Sequence, residues 1–220
     1  MIDYSNIGKG GIVKEGIFVR FPQLKPSSLP ENWGCSPAHK KLMIVMESNY
    51  FKGDENSVFK DPEAWYKGDD TSRLIPKERE GSVKNDKAGW PPFDRLCESM
   101  NQVSPEIQCE HIYDEALFYN YFLRPATGSS TFRNCCKNID KEVAGIALCG
   151  ILEINKPDIV IFASKFAYDE FSKYKKSVGY DTKNILIEFV NHPSSTFQNW
   201  FSNPNSKQKF EKLLKEYWIK

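Results

Sequence analysis

The hydrophobic pattern is sparse at the start of the chain and regular towards its end. Leu42-Met43-Ile44-Val45-Met46 is the first continuous apolar run, the signature of a strand buried on both faces of a parallel sheet. Later, Val143, Ile146, Ala147, Gly150, Ile151 and Ile154 recur at helical spacing, predicting a core-facing helix over about 140–155 that stops before Pro157. Ile159-Val160-Ile161-Phe162-Ala163 then reads as a β-branched strand, Ser164 as the cap of a helix over about 165–176, and Ile185 to Val190 as another strand. Strand, helix, strand implies parallel pairing. The chain closes with Ser206 capping a helix whose apolar stripe is Phe210, Leu213, Leu214, Tyr217 and Trp218.

Two stretches lack this regularity. The first 40 residues carry Pro22, Pro26, Pro30 and Pro37, and predict an irregular arm lying over the domain. Residues 51–90 are polar and broken by glycine and proline, an excursion that suits either a binding loop or a decorative insertion. A helix over Pro92 to Met100 follows it. Trp65, Trp90 and Trp200 lie near these loops and would either anchor them or stack on bases.

Length and composition fit these elements into a single domain. At 220 residues with 40% hydrophobic content, one core suffices, and the expected class is α/β, a three-layer sandwich around a central, mainly parallel four-stranded sheet. No run approaches a membrane span and the first residues lack a leader pattern, so the expectation is a soluble, cytoplasmic, monomeric chain. Six cysteines without a CxxC pair read as reduced thiols, and three histidines complete no zinc spacing, so neither metal nor cofactor is expected. A net charge of +1 exerts no global pull on nucleic acid, which leaves any such binding local.

In an open parallel sheet, ligands bind outside the carboxyl ends of the strands. Two polar clusters stand at such ends: Glu47-Ser48-Asn49-Tyr50 and Asn191-His192-Pro193-Ser194-Ser195. A carboxylate facing a histidine across a crevice suits a reaction in which one group orients water and the other steadies a developing anion. Alone, each also reads as structural: Glu47 as a cap or ion-pair partner, His192 as a packed ring.

The arrangement resembles the uracil-DNA glycosylase superfamily, in which a first-strand motif of the type GQDPYH or GEAPG is paired with a late HPSP-type motif. The matching islands are Met46 to Tyr50, Phe118 to Pro125 (FYNYFLRP), Lys156 to Phe162 and His192 to Ser195. They look closest to an outlying bacterial branch with a GESHY-like first motif. The resemblance implies hydrolysis of the N-glycosidic bond of a deaminated or modified base in DNA. Glu47 would handle the attacking water and His192 would donate to the base oxygen. Asn120, at a strand end, would read the base edge of an extruded nucleotide, with Asn49 and Tyr50 lining the same pocket. Ser194, Ser195 and Arg124 would meet phosphate, although Ser194 and Ser195 also read as helix caps and Arg124 as a surface ion-pair partner.

Met46 stands where most branches have glycine, Ser48 replaces the aspartate of GQDPYH, and Phe197 is the nearest apolar residue to the missing leucine wedge. These departures leave a second function open, a catalytically inactive module binding nucleic acid, a nucleotide or a protein partner, and a third, a hydrolase of free nucleosides.

Overall fold

The computed structural model describes residues 7, 16–21, 24–51, 61–67, 91–107, 112–127, 132–182, 184–193, 200 and 206–220, without the side chains of Tyr50, Phe51, Pro91, Ile112 and Thr127. Four parallel strands, β1 (Leu42–Phe51), β2 (Ala116–Thr127), β3 (Ile159–Phe162) and β4 (Leu186–Phe189), form one sheet in the order β2-β1-β3-β4. The helices are α1 (Ile17–Arg20), α2 (Pro62–Lys67), α3 (Pro91–Val103), α4 (Ile112–Glu115), α5 (Phe132–Cys135), α6 (Asn138–Asn155), α7 (Lys165–Val178) and α8 (Ser206–Leu213), the last running into a π-helical turn, Leu214–Trp218. None of these helices is long and apolar enough to cross a membrane.

Strand periodicity sorts the core into two layers. Met43, Val45, Tyr119, Val160 and Phe162 face α6, α7, α2 and α1, while Leu42, Ile44, Phe118, Ile159 and Ile161 face α3, α8 and the π turn. The result is the expected three-layer α/β sandwich. Close approach of α6 to α7 depends on Gly145, because a Cβ there would lie 2.3 Å from the Tyr174 ring. Ser164 caps α7 as the sequence implied, its hydroxyl accepting from Ala167 N at 3.2 Å.

Several elements depart from the expectations. The buried face of α6 runs through Val143, Ala144, Ala147, Leu148, Ile151 and Leu152, leaving Ile154 at 40% exposure, because equally apolar neighbours hide a one-residue rotation of the stripe. Tyr217 is likewise 40% exposed. The wider π turn sets Trp218 beneath Leu214 and carries Tyr217 off the stripe. Ser206 opens α8, and its hydroxyl accepts from Asn191 N at 3.1 Å.

The arm is more than a cover. Ile17, Phe18, Phe21 and Leu24 join the core, and Ser27 bonds both backbone groups of Phe118, which blunts the outer edge of β2. Within the long excursion, α2 buries Trp65 against Phe21 with ring centroids 4.6 Å apart. Trp200 is buried as well, so both tryptophans anchor, whereas Trp90 and Phe197 lie outside the described residues.

Candidate functional site

Register defines where the polar residues meet. Val45 pairs with Phe162, which pairs with Phe189, so Glu47 aligns with Ser164 and Asn191, the second residues past β3 and β4, one residue short of His192; β1 itself runs on to Phe51, past the strand end expected at Met46, because β2 stays paired with it. β3 lies between β1 and β4, and two strand spacings separate the backbones bearing Glu47 and His192 by about 10 Å. The end of β3 and Ser164 at the start of α7 lie between them.

Glu47 is half-buried and directed by alternation to the layer of α6 and α7. Its Oε2 accepts from the Ser164 hydroxyl at 2.7 Å, which ties the carboxylate to the first turn of α7. Sequence reasoning identified Ser164 only as a cap. Its position, two residues past the aligned Val45–Phe162 pair, was the available signal that it would also reach Glu47.

The pairing of β1 with β2 slips between Ser48 and Tyr50, and two extra residues of β2 are accommodated around Leu123, Arg124 and Pro125. Such a bulge re-aims side chains and tolerates a proline without an N–H on an edge strand. Beside it, Asn120 Nδ2 donates to Asn49 Oδ1 at 3.1 Å, joining two of the three residues expected to line the base pocket. Asn120 is not at a strand end, however; β2 continues to Thr127 because the bulge lets it pass Pro125. The third, Tyr50, belongs to β1, and its side chain lies outside the described residues.

On the far side, Asn191 N is held by Ser206 Oγ, and Arg95 of α3 donates to the Pro193 carbonyl. His192, between these ties, is pushed down to about 4 by burial and is neutral at physiological pH. It can therefore offer one N–H without carrying a charge. Ser194 and Ser195 lie outside the described residues.

Arg124 does not belong to this site. It is 1% exposed, and its Nε and Nη2 donate to Asp140 Oδ1 and Oδ2 at 2.8 and 2.6 Å. Nη2 also reaches Cys135 O at 2.7 Å, and the guanidinium lies over the Phe132 ring. The bulge turns the residue inward, so the expectations of a phosphate contact or a surface ion pair give way to a buried structural pair.

Among the described residues, no three His, Cys, Asp or Glu side chains converge as a metal would require. Neither the known family models nor the curated proteins contain a match to this chain.

Proposed function

We propose that the protein is a uracil-DNA glycosylase-like enzyme hydrolysing the N-glycosidic bond of a deaminated or modified base in DNA. The observation that carries this reading is that Glu47, in β1, and a neutral His192, just past β4, both lie on the carboxyl side of the aligned Val45–Phe162–Phe189 row, about two strand spacings apart. Water held by the Glu47 carboxylate attacks C1′ and gives its proton to that carboxylate. The C–N bonding pair leaves with the base. His192, neutral, donates a hydrogen bond from its one N–H to the base oxygen on which the charge accumulates.

The Asn49–Asn120 pair supports a base as ligand, because a side-chain amide engaged through one group keeps further donors and an acceptor for a lactam edge. The test is base release from single- and double-stranded oligonucleotides carrying uracil, hypoxanthine or xanthine. We expect release by the parent and its loss in Glu47→Ala, with the variant still binding the oligonucleotide. Binding by the parent with no release from any substrate at enzyme excess would replace this reading with that of a recognition module.

A further inference from the structure

We propose that Ser164 is a positioning residue for Glu47, fixing one carboxylate oxygen so that the other meets the attacking water; the inference rests on the hydrolytic reading of this site. A serine hydroxyl has one proton to give. Here the Ala167 N–H occupies one of its lone pairs at 3.2 Å, and its proton is directed to Glu47 Oε2 at 2.7 Å. Ser164 is 3% exposed, so solvent does not compete for the contact. The backbone behind it is fixed as well, since Ala163 N donates to Val45 O at 2.8 Å and locks the end of β3 to β1 two residues before Glu47. A glutamate with three rotatable bonds is thereby joined to a rigid helix start, and its position is set by the strand ends rather than by its own rotamer preferences.

Helix capping and positioning make different demands on residue 164, which allows them to be separated. Ser164→Ala removes both functions. Ser164→Thr keeps both. Ser164→Asp keeps an acceptor for Ala167 N–H but has no proton to give at neutral pH and sets a second carboxylate beside Glu47.

Base release is measured for these three variants alongside thermal unfolding, and the carbon-13 resonance of Glu47 Cδ, assigned by its absence in Glu47→Gln, reports the hydrogen bond directly. We expect kcat to fall about 10- to 100-fold in Ser164→Ala and Ser164→Asp with KM unchanged, and to return in Ser164→Thr. The Glu47 resonance should move in the first two variants and return in the third. An unmoved resonance, or a moved resonance with kcat intact, would overturn the proposal and leave Ser164 a cap alone. Absence of base release from the parent overturns the glycosidic reading instead, and with it the catalytic purpose of the contact, while the resonance still decides whether Ser164 holds Glu47.

Discussion

Asp140 and Glu47 are both carboxylates held by a hydroxyl, yet their surroundings differ in kind. Asp140 is fully buried and accepts from four donors: Arg124 Nε and Nη2, the Tyr66 hydroxyl at 3.0 Å and Lys137 N at 2.8 Å. Its two oxygens have about four lone-pair directions, and all are engaged. Glu47 is half-buried, and Ser164 engages one of its oxygens. A saturated carboxylate has no capacity left for a substrate, whereas one engaged, among the described residues, through a single oxygen does. The first cluster joins α2, β2, α5 and α6, and the second joins β1 to the start of α7.

That contrast breaks most sharply at Asp140. Asp140→Ala leaves the Arg124 charge buried without its partner and should cost about 3–5 kcal/mol, read from urea unfolding; a loss below about 1 kcal/mol would mean that the cluster does not hold these elements together. Next comes acidification. Below pH 6.5 an unfolded histidine takes up a proton while folded His192 stays neutral down to about 4, so stability should decline as pH falls through that window. His192→Gln should flatten this part of the profile, measured by unfolding at a series of pH values. Tyr66→Phe removes one of the four donors to Asp140 and should cost about 1 kcal/mol. The smallest effect belongs to the open carboxylate: Glu47→Gln should change stability by no more than about 0.5 kcal/mol while abolishing base release. A large loss of stability there would make Glu47 a second Asp140.

Local pattern is what made the fold legible. Leu42 to Met46 and Ile159 to Phe162 are apolar because both faces of the sheet are covered, and Ser164 precedes its helix as a cap must. The polar cluster after β4 followed from that topology, whereas Glu47 to Tyr50, expected past a strand end, lies inside β1, because β2 stays paired with it as far as Phe51. Arg124 was misread because Asp140 and Tyr66 are distant in sequence, and no periodicity reports a contact between them. Asn120 was misplaced because Pro125 resembles a strand end, and only the two-residue slip on an edge strand permits β2 to continue. The Ser164–Glu47 contact spans 117 positions and became visible only once the strands were in register.

The strand order also has a consequence for synthesis. β1 sits between β2 and β3, whose first residues follow Leu42 by roughly 75 and 120 positions. At about 5–20 residues per second, the ribosome leaves both edges of this apolar segment without their native neighbours for several seconds. The nascent chain therefore carries this apolar strand for several seconds before either native neighbour exists, and residues 42–46 are the segment that shielding during translation would have to cover.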